Sequence, residues 1–405
     1  MIRHTVMIRP DFAVAIAVAL LFSCSISSSE AAPITPGNLV IFRAGSGTNA
    51  LSNSAGNDVF LDERTTAGTL VQSIAITPAF DGTRLISAGL STSEGPLSIS
   101  QDGRWIGFAG YNTTVGGTVT MTTAASSVIP RTAGIFDTQM GSYSLTVMGT
   151  WFSGASPRGV ATQDGNRMWA VGGNSGVVYG TVDSTSGAFA NSAMTSTGTN
   201  LRVIGLYDSN FYVSAATGTW PTVGLLAGDP LVNGTTASNT FLPNIPRQGG
   251  SPTTSRYGFT FLDTNPAVAG IDTMYTVDDS ASSGGLWKYT LDSSGTWNAA
   301  GSITALTGAL RGVTGGVDGS SVQLYMTGSG NTLWKYTDTA AATSVLSGTL
   351  TAFTPIATAS GTTVFRGVVL VPMAVPEPTS YAVSAIAFAG LAGLRRRRRR
   401  RTRES

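Results

Sequence analysis

The stretch LWKYTLD at 286–292 returns as LWKYTD at 333–338, each time after Gly-rich turn residues. Looser copies share the same frame. RGVATQDG begins at Arg158, LRVIGLYDS at Leu201, RYGFTFLD at Arg256, RGVTGGVDG at Arg311 and FRGVVLVP at Phe365. The arginines Arg158, Arg202, Arg256, Arg311 and Arg366 recur every 44 to 55 residues, and the first four are followed by Asp164, Asp208, Asp263 and Asp318. After each Asp comes a turn, then a strand-like run with an aromatic inside it: Trp169, Tyr212, Tyr275 and Tyr325. ISQDGRWIGFAG, with Asp102 and Trp105, adds an earlier copy without the Arg. Asp-Gly and related pairs between the runs are hairpin signals. No helical period is evident outside the terminal segments.

A repeat of this length must be settled before any local motif. Each unit reads as four strands, and a lone four-stranded sheet leaves both faces bare. Radial stacking buries them, so the expected fold is an all-β propeller with blades starting near 97, 158, 202, 256 and 311. Strands at 38–76, with Phe42 in the aromatic position, join 365–371 to make a composite sixth blade closed by both ends of the domain at 37–372. That closure removes open sheet edges. Seven blades is the alternative count, because 77–96 has no clear place, and a pair of β-sandwiches is the wider alternative. The Gly-rich first strands suit a crowded centre.

Composition excludes several chemistries. The only His is His4 and the only Cys is Cys24, both in a leader-like segment. A body without them has no disulfide, no His or Cys metal ligand and no Ser-His or Cys-His catalysis. The net charge of +2 comes from the ends: residues 33–372 hold 14 Lys and Arg against 18 Asp and Glu. A mildly acidic body is not a nucleic-acid-binding surface, so no nucleic-acid partner is expected.

Both ends read as addresses. Arg3, His4 and Arg9 precede the apolar run FAVAIAVALLF, then small residues up to Ala31. That order is a signal peptide over 1–31, cleaved after Ala31 by signal peptidase following Sec-type export. A retained N-terminal anchor and lipidation at Cys24 are the alternatives; the apolar run is shorter than the ~20 residues a span needs. Near the other end stand Val375, Pro376, Glu377 and Pro378, an apolar segment at 381–394, and Arg395, Arg396, Arg397, Arg398, Arg399, Arg400 and Arg401. The arginine block would stay cytoplasmic while the apolar segment, expected to be a short helix, inserts transiently in the inner membrane. Segment 373–403 closely resembles the PEP-CTERM sorting signal of Gram-negative bacteria. The resemblance implies recognition at Pro-Glu-Pro by the membrane transpeptidase exosortase, removal of the tail, and delivery to the cell surface or extracellular matrix. A simple tail anchor is the plainer alternative. The RGV, YGF and LWKY stretches are similar to those of propeller-like exported proteins with this signal, which implies placement and no chemistry.

Within the body, Arg158, Arg202, Arg256, Arg311 and Arg366 would start innermost strands and gather at one mouth of the central channel. They would suit an anionic ligand such as an acidic extracellular polysaccharide, or else pair with carboxylates to hold the wheel together. Asp263, Asn265 and Asp272, in an inserted loop, are weak calcium candidates that miss the EF-hand spacing; no other cofactor is indicated. Trp151, Trp220 and Trp297 are candidates for sugar stacking or for core packing. Lys288 and Lys335 read as outward strand positions. No catalytic residues can be assigned, which favours a non-catalytic binding or structural protein. The alternative is a hydrolase or lyase using Asp, Arg and Tyr at the channel mouth.

Overall fold

In a computed structural model, the described residues are 31–79, 81–182, 189–196, 198–216, 222–227, 238–242, 245, 255–280, 284–304, 309–328 and 331–373. The expected signal and sorting helices lie outside them. No described helix is long and apolar enough to cross a membrane.

Six antiparallel sheets of four strands make up the body. β1 (Leu39–Ala44), β2 (Val59–Arg64) and β3 (Leu70–Ala75) come first. The next sheet holds β4 (Ser98–Ile99), β5 (Trp105–Tyr111), β6 (Arg131–Asp137) and β7 (Ser142–Val147). The third holds β8 (Pro157–Thr162), β9 (Arg167–Gly172), β10 (Val177–Val182) and β11 (Phe189–Ser196). The fourth is β12 (Leu201–Tyr207), β13 (Asn210–Ala215), β14 (Val223–Ala227) and β15 (Ser238–Phe241). The fifth is β16 (Arg256–Leu262), β17 (Thr273–Asp278), β18 (Gly285–Leu291) and β19 (Trp297–Thr304). The sixth is β20 (Leu310–Asp318), β21 (Ser321–Gly328), β22 (Thr332–Asp338) and β23 (Thr354–Thr358). β24 (Val364–Leu370) returns to the first sheet in the order β24-β1-β2-β3, so the composite blade expected from the sequence closes the ring.

The first strands of neighbouring blades contact one another, which makes this a six-bladed β-propeller. The closing seam is sealed where the Gly367 amide donates to the Gly95 carbonyl at 2.9 Å. The crowding here is backbone against backbone. A Cβ on Gly258 would lie 2.4 Å from the Arg311 carbonyl oxygen, and one on Gly367 2.4 Å from the Leu97 nitrogen. Only a residue without Cβ allows that approach.

The wedges between blades are filled by rings of the second strands, joined by Phe261 of the first strand β16. Trp169 packs on Phe211 of the next blade at 4.5 Å, Tyr212 on Phe261 at 4.4 Å, and Phe42 on Phe108 at 6.5 Å. Burying such a ring stabilises by roughly 1.5–3 kcal/mol each. In the β4–β7 blade the buried wedge residue is Phe108; Trp105, expected in that role, stands half-buried under Arg104 at 4.5 Å. Trp297 is buried core and Trp151 is half-buried beside a core cluster, while Trp220 lies outside the described residues.

Candidate functional site

The second or third residue of four first strands is an arginine: Arg158 on β8, Arg202 on β12, Arg311 on β20 and Arg366 on β24. The shared strand direction brings them to one end of the channel. Arg256, expected to complete the ring, turns into its own blade instead. Its guanidinium is 1% exposed, pairs with Asp278 at 2.5 Å, bonds the Tyr289 hydroxyl at 3.2 Å and stacks on Trp287 at 3.9 Å. Asp278 and Trp287 lie on the two strands following β16, so the charge of this arginine is paired within its own sheet, although its Nε has no partner among the described residues.

The four that remain surround Tyr257. Arg202 lies 4.7 Å from the centre of its ring, and Arg158, Arg202 and Arg311 all act on its hydroxyl as neighbouring charges. Burial pushes that hydroxyl up, the three arginines oppose the shift, and it has no hydrogen-bond partner among the described residues. Asp279 bridges two of the cations. It accepts from Arg202 at 3.2 Å and Arg311 at 3.3 Å, and takes the Ser255 hydroxyl at 2.5 Å. Arg202 also donates to the Ser255 and Arg256 carbonyls, tying two blades together.

Arg158 and Arg366 meet only neutral acceptors. Arg158 donates to Asn200 Oδ1 at 2.6 Å and the Leu201 carbonyl at 3.0 Å; Arg366 donates to the Gly89 carbonyl at 2.7 Å. The Nε atom of each is buried without a partner among the described residues. Burial, then the charge of Arg202, holds Arg158 below its ordinary value despite favourable Tyr257, Glu94 and Tyr111. Arg366 is pushed down to about 10, by burial first and then by Arg311, against the pull of Glu94. Desolvated guanidinium groups with open donors are unfavourable until an anion meets them.

Glu94 was not legible as a site residue. It belongs to the segment 77–96 that had no place in the repeat, and it sits 2% exposed beside this mouth. Tyr111 donates to it at 2.6 Å and the Ala88 amide at 3.1 Å. Burial pushes its carboxyl up, against the hydrogen bonds from Tyr111, Ser156, Ala88 and Ser91. Glu94, Tyr257, Arg311 and Arg366 line a cavity of about 240 Å³ at this end. It shares Pro96, Arg311 and Gly367 with a second cavity of about 280 Å³, lined by the first strands as far as Gln101, Asp208 and Pro372.

The other candidates fall elsewhere. Asp272 is buried, and its two oxygens are taken by the Thr264 and Asn265 amides and the Thr264 and Thr273 hydroxyls, at 2.7–3.1 Å. It fixes its hairpin. Asn265 accepts from the Ala267 amide and Asp263 is exposed. No group of three His, Cys, Asp or Glu with metal-holding geometry occurs among the described residues.

Lys288 corrects the reading of an outward strand position. It is fully buried between blades, with Nζ 2.8 Å from Asp338 and 2.6 Å from the Ser344 hydroxyl. Tyr275 donates to the same Asp338 oxygen at 2.7 Å. Burial along β18 does not alternate, because neighbouring blades cover both faces of the sheet at Lys288. Lys335 is half-buried with Nζ 5.9 Å from the Tyr325 ring centre.

No protein-family model and no curated protein matches the chain. Among solved structures it is similar to the Dos1 propeller, with 10% identity and a TM-score of 0.40 over 64% of this chain and 62% of that one. It is also similar to TolB from Acinetobacter baumannii, with 11% identity and a TM-score of 0.41 over 83% of this chain and 67% of that one. The chain spans less than two thirds of the Dos1 propeller's length. At these identities the likeness concerns propeller architecture alone.

Proposed function

We propose that this chain is an exported, non-catalytic binding propeller that acts on or within acidic extracellular polysaccharide after exosortase removes its sorting tail. The observation that carries the binding half is the mouth where the Nε atoms of Arg158 and Arg366 and the Tyr257 hydroxyl are buried without a hydrogen-bond partner among the described residues. Supporting the export half are the leader-like segment ending at Ala31 and the Val375, Pro376, Glu377, Pro378 motif with its arginine block, Arg395 to Arg401. The test is retention of the purified protein on matrix polymer from the producing organism, with carboxyl-reduced polymer as control. Retention that disappears on the reduced polymer supports the reading; equal passage through both columns removes it. Release of new reducing or unsaturated ends during the experiment would move the assignment to a hydrolase or lyase.

A further inference from the structure

The arginine mouth has properties that narrow its ligand beyond an acidic polymer. Arg202 and Arg311 are 13% and 23% exposed at the side chain, and the Asp279 between them 14%. The cations are therefore recessed below the surface of the mouth. A polymer crossing the face would pass above them, whereas a group entering end-on reaches Arg311 and Arg366, which line the cavity. The cavity of about 240 Å³ is of the order of one sugar ring.

Its lining is also mixed in sign. Arg311 and Arg366 bring guanidinium donors to one carboxylate, while Glu94 and Asn331 bring acceptors suited to hydroxyl groups. A bare sulfate would be drawn by the arginines and meet the Glu94 carboxyl group with nothing to donate to it. A carboxylated sugar satisfies both sets.

Resting on the polysaccharide reading above, we propose that the mouth binds the terminal uronic-acid residue of a glycan, end-on, and does not bind the interior of the chain. Its carboxylate is placed against Arg311 and Arg366 and within reach of the Tyr257 hydroxyl, which line the same cavity.

The experiment is calorimetric titration of the full-length protein in mild detergent with methyl glucuronide, a uronate hexamer, methyl glucoside and inorganic sulfate. Monomer and hexamer are expected to bind within about threefold of each other, because only one ring is seated. The glucoside and sulfate should each bind at least about tenfold more weakly, the loss expected for a missing charge-assisted contact. Arg366→Met should weaken the uronide by about tenfold or more. Because Arg366 also packs against the seam at Gly95, Tyr257→Phe serves as the second variant: it keeps the ring under Arg202 and should weaken binding with an unchanged melting temperature. Hexamer binding more than about tenfold tighter than monomer would overturn end-on seating and leave polysaccharide binding standing. Sulfate as good as the uronide would overturn the sugar assignment. Retention on matrix polymer with no titratable uronide would overturn this proposal alone; loss of both would remove it together with the function proposed above.

Discussion

Replacing Lys288 with Met isolates one of the ties between blades. In the native protein Asp338 is 2% exposed and takes Lys288 at 2.8 Å, Tyr275 at 2.7 Å and the Ser344 hydroxyl. Burial alone would raise its carboxyl, but the Lys288, Ser344 and Tyr275 hydrogen bonds together hold it below its ordinary value. Met fills the space of the lysine stem and leaves a buried carboxylate with two hydroxyl donors and no cation. Breaking one side of a buried pair costs about 3–5 kcal/mol. For a body of this size, with roughly 2 °C per kcal/mol, thermal unfolding should fall by ~5–10 °C at pH 7. The pair's contribution is present above the unfolded carboxylate value of 3.8 and is lost as pH falls through the depressed folded value. The difference between native and variant should therefore shrink toward strong acid. Adding Asp338→Asn removes the stranded charge while keeping an acceptor for Tyr275, so the double variant should regain half or more of the loss. A single variant melting within about 1 °C of native would refute this account. So would a double variant no better than the single.

Three further outcomes follow from the same structure. Gly258→Ala sets a methyl 2.4 Å from the Arg311 carbonyl and should lower stability by about 1–3 kcal/mol, read by chemical denaturation. Glu94 has a raised carboxyl value and faces Tyr111, Arg158 and Arg366, none of which titrates in the acid range. Its contribution is full below 4.5 and lost as pH rises through the folded value, so Glu94→Gln should flatten the melting temperature against pH above 4.5. The same ionisation places a competing charge at the mouth, so anion affinity should fall over that range in the native protein and stay level in Glu94→Gln, measured by titration calorimetry. Pro376→Ala with Pro378→Ala should leave the tail attached, seen as an unprocessed mass in the membrane fraction; an unaltered mature mass would refute the sorting assignment.

The parts of this molecule that repeat were readable and the parts that do not were hidden. LWKY, the aromatic second strand and the spacing of the arginines each mark a strand whose neighbours are local hairpins, so blade count and the β24-β1 closure follow from pattern. Phe42 was identifiable because it stands in the same frame as Tyr275. Glu94 was not, because its loop carries no period and reaches the axis only through long-range contacts such as Tyr111. Lys288 resembled Lys335 along the chain; its counterion lies 50 residues away on the next blade. Arg256 shared every local feature of its four relatives. What turns it inward is Asp278 at the end of β17 and the face of Trp287, a coincidence of side chains that spacing does not report.

The closing strand also decides how the molecule bears a load. β24 starts at the arginine mouth and ends at Leu370, paired with Leu39, while its first residue Val364 pairs with Ala44. Gly37 donates to the Val371 carbonyl and Val371 to that of Asn38, so both ends of the folded body leave from the face opposite the mouth. Tension between those two ends would peel β24 from β1 one pair at a time. Tension between the Leu370 end of β24 and the Ala44 end of β1 would run along the strands and shear every rung together, because antiparallel hydrogen bonds lie across the strand axis. Were the chain held at its C-terminal end and pulled at the mouth end of β1, the load would fall on this wheel in its stronger direction.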